Sequence, residues 1–528
     1  MEQERSQDMQ PRYVLPTREP GRNINLETKP KQVETWLANL PLSNPTEAAE
    51  ELADFLTTLN SSDVSHDARV KVVDRLGTVL EDIVASLYEQ YGSASLPLPP
   101  KQQRSAELAQ RLLLEMALAY KILLLEWLKR RFHLFGGNPV PLYLQRILLA
   151  LQAVAEVSFE THQPTPEGIW LDLHQTYNYA LRNGLKDVIP EGGSKMLSLE
   201  QIYKATLLMA LADPYHFPQV ELPWAKDIIA RFSNLATIFP AEESTKGQAG
   251  LFVVDVGVDA TPKPLAREAH PMNPRWDLIL NTTGLAKHLA LVASNLRSPE
   301  DRAKLGLPEA AIDPSYASML KRLRLNWGAS VQRQSQRRRH QQGKEVEVCI
   351  GFKAMHRLLS PASKVETIHY GIVDNDPAPV VVKCKTINDS MGGLALSKAQ
   401  ANAMQIRVGD IAGIRQANGN WGLGIVRWFR IPQKGEVTFG IQLLAPQAQA
   451  VQLRRKDTGR QWPGLMLHPS AVSKQPPMLA ALPGCFGPDL EVEMRTPRGS
   501  QTMQLDKRLE SSPSLDLLRF SLEQPATH

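Results

Sequence analysis

The chain has 528 residues but a net charge of only +5, less than expected of a protein that works mainly by non-specific nucleic-acid binding, which counts against that class. Hydrophobic residues make up 43% and charged residues 22%, which is ordinary for a globular protein, and the length predicts three or four domains. Three cysteines, Cys349, Cys384 and Cys485, stand far apart with no Cys-x-x-Cys pair; neither a zinc site nor a disulfide framework is indicated, and a reducing, cytoplasmic compartment is expected.

Residues 1–32 carry many charges, few large apolar groups and prolines at Pro11, Pro16, Pro20 and Pro30. Such a segment buries too little surface to offset its ordering entropy and reads as a disordered tail. Its first 25 residues lack the charged-then-apolar pattern of a signal peptide.

Residues 33–245 read as an α-helical domain. Asn44-Pro45-Thr46-Glu47 is a helix start, with Ala48, Ala49, Leu52, Phe55 and Leu56 then falling on one face. Val70, Val73, Leu76, Val79, Leu80 and Ile83 recur at threes and fours after Ser65-His66-Asp67. The run from Gln103 to Phe132 is dense enough in apolar residues to lie at the centre of a bundle. Within it, Leu112 to Leu128 is interrupted by Glu115, Lys121 and Glu126; a membrane span needs about 20 mostly apolar residues, so no span is expected. Trp170, His174 and Tyr177 share a helical face, but helical spacing alone generates such a group, and it reads as a core stripe. Gly192-Gly193-Ser194-Lys195 lacks the ending of a phosphate loop and is rejected as one.

Residues 246–329 read as a small α/β linker domain. Leu251–Val256 and Trp276–Asn281 look like strands, and Lys321–Arg324 ends a second helix. From Val346 the chain is mainly β: candidates 345–352, 366–372, 379–387, 393–397, 411–417, 421–429 and 436–444 are separated by turns such as Asn418-Gly419-Asn420 and Gln433-Lys434-Gly435. Short strands at this density predict a small barrel or sandwich over 330–446. Weaker strands near 461–467, 489–494 and 515–522 make 447–528 a C-terminal β extension, either an independent module or added strands. The expected fold class is α+β multidomain.

The chemistry concentrates between Arg333 and Gly393. Arg333-Gln334-Ser335-Gln336-Arg337-Arg338-Arg339 is a basic cluster, and Asn388-Asp389-Ser390-Met391-Gly392-Gly393 is a turn between strands. Arginine forks onto phosphates or guanine edges and stacks on purines. An asparagine amide both donates and accepts, a serine does so over a shorter reach, and glycine permits close approach. The pattern fits a planar, anionic ligand. No His/Asp/Glu cluster has metal-ligand spacing and no catalytic signature stands in context, so an enzyme is the least favoured class.

Arg333-x-x-x-Arg337, followed across β structure by Asn388-x-Ser390-x-x-Gly393, resembles the two signature motifs of the PilZ domain, a bacterial receptor for cyclic di-GMP. Val408-Gly409-Asp410, the Trp421-to-Trp428 strand and Phe439–Leu443 agree, and the resemblance covers about residues 330–445. It implies a six-stranded antiparallel β-barrel with cyclic di-GMP as ligand and no cofactor or metal. The implied contacts are Arg333, Arg337, Arg338, Asn388, Ser390 and Gly393, with Arg339 the next arginine in line. It also implies an effector whose arginine arm is ordered by ligand, with a protein partner met through the helical domain. Two further readings stay open. One is an adaptor with a degenerate site, and the other is a nucleic-acid-binding barrel, which the scattered aromatics disfavour.

Overall fold

A computed structural model describes residues 10–17, 28–130, 137–193, 195–242, 248–265, 273, 276–296, 298–328, 343–360, 378–390, 392–399, 404–468, 476–496 and 499–522. The expected strand at 366–372 lies outside these residues.

Apolar residues at threes and fours give helices α1 Pro30–Ala38, α2 Pro45–Ser61, α3 His66–Tyr91, α4 Pro100–Lys129, α5 Val140–Glu160, α6 Ile169–Arg182, α7 Leu199–Leu211 and α8 Leu222–Phe232. The densest of them, α4, packs against α2, α3 and α5 and fully buries Leu108, Leu112, Leu123 and Leu124. Helix α5 is long and apolar enough to cross a membrane, yet 67% of its most apolar stretch is buried inside the protein. His174 bonds the Tyr203 hydroxyl at 2.6 Å and the Ala260 carbonyl at 2.8 Å, and burial pushes its imidazole down to about 4. It is a neutral core histidine.

Residues 10–17 correct the expectation of a tail over 1–32. Tyr13 is buried, its hydroxyl is 2.8 Å from Thr176 Oγ1, and Lys121 Nζ sits 5.5 Å from its ring centroid. One aromatic with a satisfied hydroxyl is enough to pin a short extended segment. Helix α1 also begins inside the expected tail, at Pro30.

Strands β1 Thr237–Pro240, β2 Leu251–Asp255, β3 Lys263–Pro264 and β4 Asp277–Asn281 form a sheet in the order β1-β4-β2-β3. Strand β1 precedes the boundary expected at 246; four residues are too short to announce a strand, and it is held by pairing along β4. Helices α9 Thr283–Asn295, α10 Pro299–Lys304 and α11 Pro314–Gly328 follow. Helix α11 is locked onto the bundle at its end. Trp327 is fully buried and its Nε1–H donates to the Leu208 carbonyl at 3.0 Å. The Asn326 amide donates to Ala212 O at 2.7 Å. Arg322 pairs with the buried Glu221 carboxylate and lies 4.9 Å from the Phe217 ring centroid.

Strands β5 Glu345–Ile350, β6 Val381–Ser390, β7 Gly393–Ala399, β8 Ile411–Arg415, β9 Trp421–Gln433 and β10 Glu436–Ala445 close into an antiparallel barrel, β10-β7-β6-β5-β8-β9. Strand β5 stops at Ile350, before the expected 352. Gly351 turns the chain at φ 106° into helix α12, Phe352–Leu359. Phe352, Met355, Leu358 and Leu359 are spaced for a helix face, and they pack with Ile411, Leu423 and Ile425 of this barrel and Leu465, Leu467 and Leu517 beyond it.

Pro446 alone separates β10 from β11 Gln447–Arg455, which opens a second closed barrel with β12 Gln461–His468, β13 Met478–Ala481, β14 Glu491–Thr496, β15 Gly499–Ser511 and β16 Asp516–Leu522. Its order is β11-β12-β13-β16-β15-β14. The C-terminal β region is therefore a barrel in its own right, with its own core of Val451, Leu453, Phe486, Val492, Met503 and Phe520.

One apolar core runs from the bundle through the sheet into the first barrel. At the joint, His162 Nδ1 meets the Phe429 carbonyl at 2.9 Å, and the Ile431 amide donates to His162 O at 2.8 Å. Arg430 lies 4.4 Å from the Tyr215 ring centroid and 3.9 Å from Asp213. The far half of β9, longer than the expected 421–429, makes these contacts.

Candidate functional site

Arg333, Arg337 and Arg338, with Arg339, lie outside the described residues. Asn388, Ser390 and Gly393 are described and come together where β6 turns into β7.

A register shift sets their direction. Side chains alternate along a strand, and Val382, Cys384 and Thr386 belong to the inward set, with Cys384 and Thr386 buried. Strict alternation would turn Asn388 inward too. Instead Thr386 pairs with Leu396 while Asn388 pairs with Ala395, so Ile387 is an extra residue, a β-bulge of the kind that re-aims side chains. Residues directly opposite each other share a face. Leu394 and Leu396 face the barrel core, so Ala395 and Asn388 face outward, and Asp389, opposite Leu394, faces inward. Ser390 pairs with Gly393, and its hydroxyl is 3.3 Å from the Gly393 carbonyl.

The outer face continues across the sheet in rows. Asn388 leads through Ala395 and Gly440 to Trp428. Ala395 and Gly440 give a floor with little side chain, and it is buried, with the indole packed down onto it: a Cβ on Gly440 would sit 1.9 Å from Trp428 Nε1. The row on one side runs Lys385–Ser397–Thr438–Arg430, with a cation at each end. On the other side it runs Ser390–Gly393–Gln442, where Arg427 Nε donates to Gln442 Oε1 at 2.6 Å. Arg427 also pairs with Glu510 of the second barrel. Three strand spacings, about 14 Å, separate Asn388 from Trp428. The result is a shallow trough with a hydrogen-bonding end, an aromatic end and cations along one side.

The sequence reading did not single out Lys385, Trp428 or Arg430 as site residues. Their signal is positional, since each becomes part of the site only through the pairing register. Gly393 has a role not foreseen. A Cβ there would lie 2.4 Å from the Ile441 carbonyl, so its bareness admits the backbone of β10 before it admits any ligand.

The chain emerges from the arginine segment beside this trough. Gly343 N–H donates to Thr386 O at 2.8 Å and Thr386 N–H to Lys344 O at 2.9 Å, two residues from Asn388. Among the described residues no cluster of His, Cys, Asp or Glu could hold a metal ion.

A closed six-stranded antiparallel barrel, entered from an arginine cluster and bearing Asn-x-Ser-x-x-Gly on its outer face, has the makings of a PilZ domain. The comparison agrees, and the middle of the chain is a PilZ domain: residues 251–376 and 362–450 match the model of the middle PilZ domain of the cyclic-di-GMP receptor FimW. That match begins upstream of the barrel and takes in part of the small sheet. Residues 31–242 match the FimW N-terminal domain and 448–523 the FimW C-terminal β-barrel domain. Over 502 aligned residues the chain is 24% identical to the cyclic-di-GMP receptor FimW of Pseudomonas aeruginosa, covering 81% of this chain and 80% of the relative. No solved structure matches the chain.

Proposed function

We propose that this chain is a cyclic di-GMP receptor whose ligand lies in the outer trough of the first barrel. Asn388 and Ser390 take hydrogen bonds from or to a guanine edge, Trp428 offers its indole face to a base, and Arg333, Arg337 and Arg338 close over the phosphates. The observation that carries this reading is the bulge at Ile387. It turns Asn388 onto the same outer face as Ser390 and Trp428, beside the point where the arginine segment joins the barrel. Gly343 stands six positions after Arg337, a reach of up to about 22 Å, which is enough to cross the trough.

The same connection supports an output. The segment 329–342 runs between Trp327, bonded into the bundle, and Gly343, bonded into the barrel. A ligand that gathers the arginines therefore pulls on the joint between the two domains, and altered contacts of the helical domain with a protein partner are the expected consequence. The three cysteines are free thiols, Cys349 and Cys384 of them buried, which supports a cytoplasmic setting.

Calorimetric titration with cyclic di-GMP tests the reading. Wild type is expected to bind at micromolar affinity or better, and Arg333→Ala/Arg337→Ala to lose at least a hundredfold. Full-strength binding by that double variant would overturn the assignment.

A further inference from the structure

The first barrel has a feature the trough does not use. At the end where β5 begins, its mouth is an open cleft of about 580 Å³, within the usual range for small-molecule sites. Val346, Leu394, Ile414 and Leu443 line it; these side chains belong to the barrel's inward set. Gly422 of β9 also lines it, and the Gln416 amide lies where a Cβ on that glycine would stand.

The rim decides what kind of molecule fits. Glu347 is paired with Arg415 at 2.8 Å, and Glu345 has Lys383 at 3.9 Å. Lys344, also on the rim, has no carboxylate partner among the described residues. Among the described residues the mouth is thus aliphatic inside with one spare cation outside. None of the described lining residues is aromatic, so none of them stacks on a base, and their one spare cation is a poor match for two phosphates.

We propose that the barrel mouth is a second ligand site, separate from the nucleotide trough, that takes a free single-chain carboxylate of the fatty-acid type. Its alkyl chain lies along Val346, Leu394, Ile414 and Leu443, and its carboxylate meets the Lys344 ammonium. Binding is non-covalent and does not depend on the nucleotide reading. Because the mouth and the trough share β6 and β7, an occupied mouth holds the Asn388–Gly393 turn from its inner side.

The test is calorimetry on the full chain with octanoate, decanoate and dodecanoate below their micellar concentrations, with cyclic di-GMP titrated in parallel to read the trough separately. Affinity is expected to rise about fourfold per added methylene until the mouth is full. Decanol is expected to bind at least fivefold more weakly than decanoate. Lys344→Glu, a change at an exposed side chain, is expected to weaken decanoate at least fivefold while preserving the chain-length trend. The proposal is overturned by absence of saturable binding, by affinity independent of chain length, or by equal decanoate binding in wild type and Lys344→Glu. Loss of cyclic di-GMP binding alone leaves it standing.

Discussion

His162 is the joint between the helical domain and the first barrel, and its chemistry makes that joint sensitive to acid. The ring is 2% exposed. Nδ1–H donates to the Phe429 carbonyl, while Nε2 is buried with no partner. A proton on Nε2 would place a cation in that setting, so burial pushes the imidazole from its ordinary 6.5 down to about 4. The folded pKa is depressed, so the stabilisation is fully present above pH 6.5 and drains away as pH falls toward 4. Between pH 7.5 and 5 this one group removes about 2 kcal/mol from the wild type. His162→Asn suits the test because the backbone there is left-handed, φ 55°, which asparagine tolerates, and asparagine does not titrate. The variant is expected to be less stable by about 1–3 kcal/mol at pH 7.5, having lost a buried hydrogen bond and packing, with the gap closing by about 2 kcal/mol at pH 5. Denaturant midpoints at the two pH values measure the difference, and exchange of the Ile431 amide, which donates to His162 O, localises it to the joint. Parallel pH profiles in the two proteins would refute the argument.

Three other changes separate structural from ligand roles. Gly393→Ala forces the β10 backbone away from β7, so the barrel is expected to lose about 1–3 kcal/mol, read as a lower melting temperature even without nucleotide. Deleting Ile387 removes the bulge yet leaves Asn388 next after Thr386 and opposite Ala395, so plain alternation keeps it on the outer face; cyclic di-GMP affinity by calorimetry is expected to change less than threefold in a chain that circular dichroism still shows as folded. Trp327→Phe keeps most of the packing but removes the donor to Leu208 O. It is expected to cost about 1 kcal/mol and to increase exchange at the end of α11, while cyclic di-GMP affinity by calorimetry changes less than threefold.

The parts legible in the sequence are those written in local pattern. Helices such as α3 and α4 follow from apolar residues at threes and fours, and all six of the first barrel's strands from short apolar runs set off by turns such as Asn418-Gly419-Asn420. Helix α12 was not legible because Phe352 follows directly on a strand and only Gly351 marks the change. Strands β1 and β13 have four residues each, too few for a period to show. In the second barrel, Gln447–Arg455 alternates small and polar residues and gains its identity from pairing with β12 and β14. The site divides along the same line. Asn388, Ser390 and Gly393 are a contiguous motif and could be read; Lys385, Trp428 and Arg430 join it only through register. The direction of Asn388 depends on a bulge that no local pattern announces.

The joint and the trough lie on consecutive residues of one strand. Trp428 faces the trough; Phe429 gives its carbonyl to His162; Arg430 stands at the trough's edge and over Tyr215; and Ile431 donates to His162. Strands are stiff, and neighbouring residues point to opposite faces, so a ligand that displaces the Trp428 indole or draws Arg430 away from Asp213 changes the geometry presented to the helical domain without any intervening loop. The arginine segment gives a second route between the same two bodies, through Trp327. Two parallel connections have a measurable consequence. If both carry the signal, weakening the His162 joint reduces the ligand-induced change in the helical domain but does not abolish it, whereas a single route through β9 would lose it entirely. Hydrogen exchange of α6 and α7 in His162→Asn, with and without cyclic di-GMP, distinguishes the two cases. A response retained in part is the outcome expected of a helical domain held at both His162 and Trp327.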